Sequence, residues 1–141
     1  MIGDVCVKPV VTVSKDTTVQ EAARLMRAKK VGALVVVNNG KPEGILTDRD
    51  ITVNVVAQQR DPEAVRVREV MRTNPTVIRE DQGILDAARI LGARGVRRLP
   101  VVGKGGKLVG IVALDDLLML FGREMGHVAS ALARGLGRAR I

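Results

Sequence analysis

The chain has 141 residues, enough for one domain with a sizeable core, and no apolar run approaches the roughly 18 residues that a membrane-spanning helix needs. Its single cysteine, Cys6, excludes an intramolecular disulfide and a multi-cysteine metal site, and we expect a cytoplasmic location. The 23 basic and 15 acidic residues give a net charge of +8, which favours anionic partners, although a single aromatic residue, Phe121, provides little stacking surface for single-stranded nucleic acid.

An internal repeat organises the chain. Residues between Asp16 and Gly40 recur in identical or similar form 65 positions later, between Asp81 and Gly105. After one extra residue in the second copy, the segment that starts at Gly44 recurs as well. Because the match spans helical and strand periodicities, it indicates two copies of one folded unit.

The first copy predicts a β-α-β-β-α order. An extended stretch at 10–13 precedes an amphipathic helix, whose start carries a possible capping box of Thr18 and Glu21. An apolar strand at 34–37, a turn at 38–40 and a second strand at 44–47 follow. Asp48 is then a candidate cap for a second helix from about Arg49 onward.

The second copy predicts the same order. Its elements are an extended stretch at 76–78, a helix at 84–93, strands at 99–102 and 108–112 around a glycine-rich turn, and a helix from Asp115. Only the short polar stretch 60–67 separates the copies, which favours face-to-face packing. The predicted fold is therefore α/β (α+β), with two repeats related by a pseudo-twofold axis and two equivalent clefts between them.

The C-terminal segment continues as an amphipathic pattern. Apolar residues at helical spacing are Leu117, Phe121, Met125, Val128, Leu132 and Leu136, and the arginines on other faces are Arg123, Arg134, Arg138 and Arg140. We expect this segment to extend the last helix and to pack on its own domain or on a dimer mate rather than on an anionic membrane. The expected division is repeat 1 at 1–58, a linker at 59–67, repeat 2 at 68–121 and a C-terminal helix at 122–141.

No catalytic arrangement can be built from this sequence. His127 is the only histidine and lies outside both copies, and neither serine has a nucleophile motif around it. A hairpin turn explains the glycines at 103–106, because no Gly-Lys-Ser/Thr follows. We expect a binding protein rather than an enzyme.

Two segments carry a resemblance to a known family. Residues 44–51 (GILTDRDI) and 95–102 (GVRRLPVV), together with the tandem repetition, resemble the paired CBS domain, or Bateman module, over about residues 4–121. Residues 31–34 and 47–50 look most like the small stand-alone bacterial and archaeal members. The resemblance implies a regulatory module that binds an adenine nucleotide such as AMP, ADP or ATP, that forms a homodimer and that signals to an unidentified partner protein. No other cofactor is required.

The resemblance also implies two nucleotide sites. Each combines the Thr-x-x-Asp motif of one copy with a basic pair on the preceding strand of that copy, and the opposite copy surrounds the base. The first cleft would contain Arg97, Arg98 and Asp116, with Val31, Gly32, Ala33 and Val11 of the 6–11 segment near the base. The second would contain Thr47, Arg49 and Asp50, with Val77 and Val96 near the base.

Each expected cleft departs from the family pattern in one respect. Ala113 replaces the usual hydroxyl residue in the first, and Gly32 and Ala33 replace the basic pair in the second. We rank the first cleft higher, because charged phosphate contacts contribute more than one neutral hydroxyl. A free backbone N–H group and a positive dipole at each helix start would add to phosphate binding.

Two alternatives to nucleotide sensing stay open at this point. The positive net charge allows a nucleic-acid-binding protein, and the incomplete clefts allow a structural dimer whose clefts bind nothing.

Overall fold

The computed structural model describes residues 1–139, with side chains described through residue 135. The apolar and basic side chains that the sequence places on the last helix at Leu136, Arg138 and Arg140 therefore lie outside the described part of the chain.

The first copy folds around an antiparallel hairpin. Its elements are β1 (Thr12–Val13), α1 (Val19–Lys29), β2 (Ala33–Asn38), β3 (Lys41–Thr47) and α2 (Asp48–Ile51), which continues as a π-helix (Thr52–Val56). The hydroxyl of Thr18 accepts a hydrogen bond from the Glu21 N–H at 3.2 Å and so caps α1. This is one half of the expected capping box, and among the described residues the return bond from the Thr18 N–H to the Glu21 carboxylate is absent. Asn39 and Gly40 adopt positive φ in the tight turn between β2 and β3.

The second copy repeats this order. A short strand, β4 (Arg72–Thr73), precedes it, and its own elements are β5 (Ile78–Arg79), α3 (Ile84–Arg94), β6 (Arg98–Val102), β7 (Leu108–Ala113) and α4 (Leu114–Ala139). β1 pairs parallel to β2, and β5 pairs parallel to β6. The predicted fold of two β-α-β-β-α copies is confirmed, although each leading strand is only two residues long.

The segment before each copy packs on the other copy. Ile2 is fully buried in the second copy's core, and the Ile2 N–H donates to the Gln82 carbonyl at 2.6 Å. Val67 lies 65 positions later, is fully buried in the first copy's core and donates to the Thr17 carbonyl at 2.8 Å. The two copies are therefore crossed at their leading segments, in agreement with a pseudo-twofold relation.

The stretch between the copies contributes to the first core. Val65 is buried there with Val67, and β4 extends the first sheet by pairing Arg72 with Ile45. Glu69 accepts a 2.6 Å hydrogen bond from the Arg66 backbone N–H, which lowers the pKa of its carboxyl. These residues form part of the first copy's structure as well as connecting the copies.

Two glycines, one on β3 and one on β7, let the crossed segments pack closely against these strands. A Cβ on Gly44 would lie 2.9 Å from the Arg72 carbonyl oxygen, and one on Gly110 would lie 3.1 Å from the Val7 carbonyl oxygen and overlap Cys6 Sγ. Because these contacts are shorter than a side chain tolerates, glycine is needed at both equivalent positions.

The last helix begins in the core and then leaves it. Leu117 is buried in the second core and Phe121 packs against it, whereas residues 122–135 are exposed on every face. The expected extension of the last helix is confirmed. Within residues 1–139, no helix has the length and apolarity needed to cross a membrane.

Because Ile2 is buried, we expect the stability of the protein to depend on this residue. Replacing Ile2 with Ala removes a fully buried side chain, and we expect the free energy of unfolding to fall by about 2–5 kcal/mol. Urea unfolding followed by circular dichroism measures this, with the exposed Val5→Ala variant as the matched control. Equal, small losses in both variants would contradict the crossed packing.

Candidate ligand-binding cleft

A cleft of about 310 Å³ lies between the two copies. We call it the arginine cleft. Its lining residues are Ile45, Thr47, Asp48, Arg49, Arg72, Pro75, Gly95, Val96, Arg97 and Arg98. Its size lies at the lower end of the range for small-ligand pockets, and its lining combines apolar side chains with a few charged groups.

A capping box shapes one wall of this cleft, where β3 ends and α2 begins. The Asp50 N–H donates to the Thr47 hydroxyl at 3.1 Å, and the Asp50 carboxylate accepts from the Thr47 N–H at 2.9 Å. The expectation that Asp48 caps this helix is therefore wrong. Thr47 is the cap because its side chain reaches the third residue of the turn.

The helix start has no free N–H group for an anion. The Asp48 N–H donates to the Gly32 carbonyl at 3.0 Å, the Arg49 N–H donates to the Asp48 carboxylate at 2.8 Å, and the Asp50 N–H is taken by Thr47. The expected phosphate contact through backbone N–H groups is wrong for α2, because its first turn satisfies its own donors. Positive charge in the cleft comes instead from guanidinium groups.

Four arginines line the cleft from three segments. Arg72 Nε lies 3.3 Å from the Asp50 carboxylate, and Arg97 lies 3.7 Å from Asp115, but both arginine side chains are about 70% exposed (68% and 72%). Among the described residues, no carboxylate lies within 4.0 Å of Arg49 or Arg98. The Arg97–Asp115 pair is exposed on both sides and is therefore weak. Arg72 contacts the buried Asp50 through its Nε only, so the terminal nitrogens of Arg72 stay outside that contact and can bind an anion.

The structure groups the expected site residues differently from the sequence analysis. Arg97 and Arg98 were expected beside Asp116, but they line one cleft with Thr47, Arg49 and Val96. The reason is the face-to-face packing, which sets the start of β6 in the second copy opposite the end of β3 in the first. The basic pair and the Thr-containing motif thus come from different copies.

Two expected ribose ligands lie elsewhere. Asp50 is buried, and its carboxylate is held by the Thr47 N–H and by Arg72. Asp116 is exposed, accepts from the Ala113 N–H at 3.3 Å, and lines a separate pocket beside Arg123. Asp116 therefore lines a different pocket from the basic pair, although Arg98 pairs in the sheet with Ala113, the residue whose N–H donates to Asp116.

Of the six residues expected near the base, Val96 lines the arginine cleft and the other five do not. Val11 and Val31 pack against the first core, Gly32 and Ala33 lie at the start of β2 beside the end of β3, and Val77 is exposed. None of the five lines the arginine cleft.

The symmetry-related position lacks these polar groups. In the alignment of the two copies, Ala113 and Asp115 correspond to Thr47 and Arg49 of the arginine cleft. Gly32 and Ala33 correspond to Arg97 and Arg98, and Val7 corresponds to Arg72. The arginine cleft therefore combines the basic pair of one expected set with Thr47 and Arg49 of the other, without the aspartate of either set.

Sequence reasoning missed Arg72 and the cleft-lining position of Asp48. Arg72 lies on β4, a strand that is recognisable only from its pairing with β3, so no local pattern singles it out. Across the described residues, no group of three or more His, Cys, Asp and Glu side chains is placed to hold a metal ion.

The model of one family, the CBS domain, matches residues 2–56 and 67–123. The chain belongs to the CBS-domain family. The two matches begin at Ile2 and Val67, the residues that are buried in the other copy's core. Each CBS repeat, as the family model defines it, therefore includes its crossed leading segment.

Relatives with the same module include bacterial and archaeal proteins. The CBS domain-containing protein YhcV of Bacillus subtilis is 43% identical over 116 residues, which are 82% of this chain and 81% of that protein. The uncharacterised protein MK0525 of Methanopyrus kandleri is 37% identical over 120 residues, which are 84% of this chain and 61% of that protein. The chain thus spans less than two thirds of the Methanopyrus protein.

A solved structure of a CBS pair is similar over most of the chain. The CBS domain pair of protein MJ0100, in complex with 5′-methylthioadenosine and S-adenosyl-L-methionine, has a TM-score of 0.77 and 28% sequence identity. The match covers 88% of this chain and 97% of that one.

The capping box predicts a stability cost when its hydroxyl is removed. Thr47→Ala leaves the Asp50 N–H without its acceptor, and we expect a loss of about 1 kcal/mol in the free energy of unfolding, whereas Thr47→Ser retains the acceptor. Urea unfolding of both variants measures the difference. An equal loss in both would show that the methyl group, not the hydroxyl, matters.

Proposed function

We propose that this protein is a regulatory CBS pair that binds an adenine nucleotide, such as AMP, ADP or ATP, in the arginine cleft and signals to a partner protein. One observation carries the proposal: Arg97 and Arg98 of the second repeat line the same cleft as Thr47 and Arg49 of the first. The role is one of binding, and it assigns the chain no catalytic step.

The lining of the cleft suits the two ends of a nucleotide. Arginine forks bind phosphate oxygens in pairs, and the Thr47 hydroxyl can still donate a hydrogen bond while its oxygen accepts from the Asp50 N–H. Ile45, Pro75 and Val96 offer apolar surface to the base. The adenosine compounds bound by the MJ0100 pair support an adenosine ligand.

Signalling follows from the position of the cleft between the repeats. A ligand that contacts Thr47 and Arg98 together interacts with both repeats at once. It therefore favours the relative arrangement of the repeats that brings these groups closest, and the ligand's differential affinity sets how far the populations shift. A partner protein then distinguishes the two arrangements.

The proposal predicts one nucleotide per chain. Isothermal titration calorimetry with AMP, ADP and ATP should give a single site, because the symmetry-related position lacks the arginines. Arg98→Ala should weaken binding by roughly ten- to a hundredfold, the value of one charged hydrogen-bonding group. Thr18→Ala is the matched control, since it removes the cap of α1 away from the cleft and should leave affinity unchanged.

Three results would count against the proposal, two from this titration and one from a parallel titration with DNA or RNA. Two equal sites per chain would contradict the single cleft, and no binding at millimolar nucleotide would favour a structural dimer. Strongly salt-dependent binding of DNA or RNA without any nucleotide response would favour the nucleic-acid alternative.

We also propose a homodimer in which α4 takes part. Met125, Val128 and Leu132 lie on the exposed part of this helix and are themselves more than half exposed. The sequence of α4 contains four glycines, at positions 122, 126, 135 and 137, which lower its helix propensity, so contact with a second copy would stabilise it.

The dimer is tested by placing a charge on the apolar stripe of α4. Leu132→Glu should lower the molar mass measured by light scattering after size exclusion from that of two chains to that of one. Ser130→Glu adds the same charge on another face of the helix and should leave the mass unchanged. A dimer that survives Leu132→Glu would place the contact elsewhere on the chain.

A further inference from the structure

The four arginines of the cleft stand on both of its walls. Arg49 at the start of α2 and Arg72 on the edge strand β4 belong to the first repeat's wall. Arg97 and Arg98, where β6 begins, belong to the second repeat's wall. A ligand must therefore span the cleft to contact all four side chains.

One phosphate group is too small a partner for four arginines. A terminal phosphate presents three oxygens, and each arginine fork engages two acceptors, so two guanidinium groups suffice to surround it. For the remaining two arginines, the cleft lining offers one carboxylate, that of Asp48, and it already accepts from the Arg49 N–H. Further phosphate groups would supply the missing acceptors.

The contacts that Arg72 and Arg97 make without a ligand leave terminal guanidinium nitrogens available to bind phosphate. Arg72 uses its Nε toward Asp50, which leaves both terminal nitrogens of its fork unused in that contact, and its side chain is 68% exposed. Asp50 holds the base of the Arg72 fork and is therefore a positioning residue for it. Among the described residues, the Arg97 side chain has a single ionic contact, the one at 3.7 Å to the exposed Asp115.

We infer that the arginine cleft selects ligands that carry a chain of two or more phosphates over monophosphates and over uncharged or cationic adenosine compounds. This inference rests on the proposed function and specifies its ligand class. The phosphate chain crosses from the Arg49 and Arg72 wall to the Arg97 and Arg98 wall, so it joins the two repeats more strongly than a monophosphate does. Charge, rather than the base, then determines the preference.

Calorimetric titration of the full chain tests this selectivity. The ligands are ATP, ADP, AMP, 5′-methylthioadenosine and inorganic pyrophosphate, without divalent cations so that each keeps its full charge. We expect ATP and ADP to bind roughly tenfold or more tightly than AMP, pyrophosphate to bind measurably, and 5′-methylthioadenosine to bind most weakly. The affinity for ATP should fall most steeply with added salt.

A variant on one wall should remove the preference. Arg49→Ala deletes a guanidinium group that has no carboxylate within 4.0 Å among residues 1–139, so it changes charge without breaking an ion pair. We expect it to reduce ATP affinity roughly tenfold and AMP affinity by much less, with Arg97→Ala acting in the same way from the other wall. Arg134→Ala, on the exposed part of α4, is the matched control and should change neither.

The possible outcomes separate this inference from the proposed function. If AMP binds as tightly as ATP, or if 5′-methylthioadenosine binds best, charge selection is overturned while adenosine binding stands. If pyrophosphate binds and no adenosine compound binds more tightly, the proposed nucleotide role fails while the phosphate-chain site stands. If none of the five ligands binds, both fail.

Discussion

The burial of Ile2 and Val67 in each other's repeat is the contact on which the rest of the structure depends. Each repeat completes its core with residues from the segment that precedes the other repeat: Val65, Val67 and Val70 in the first core and Ile2 in the second. The residues that follow these segments then pack closely on Gly44 and Gly110, where no side chain blocks them. Because a core residue must fill its cavity to contribute fully, this crossing fixes how the repeats sit against each other.

The fixed arrangement explains why one cleft is rich in charge and its counterpart is not. It sets the end of β3 opposite the start of β6, so polar residues from unlike positions of the two copies meet between them. Thr47 and Arg49 come from a motif that the second copy does not share, whereas Arg97 and Arg98 come from a pair that the first copy lacks. Each copy therefore contributes different polar groups to the same cleft.

The sequence predicted most of the fold because the evidence for it is local. Helical spacing located α1 and α3, alternation and turn residues located the hairpins, and Thr18 marked a helix start. The grouping of the site residues was not predictable in this way. The grouping depends on which ends of the two copies face each other. The pairing of Arg72 with β3 and the burial of Asp50 produce no periodic pattern in the sequence from which they could be predicted.

The crossed leading segments also impose an order on folding during synthesis. The first repeat has all of its core once the chain has been made through about Met71, whereas the second has its last buried residue, Leu117, much later. Domains generally form as soon as their residues are available, so the first repeat can fold while the second is still being made. Ile2 precedes both repeats in the chain, yet it can be buried only after Leu117 has been made, because the core that receives it is the last to be completed.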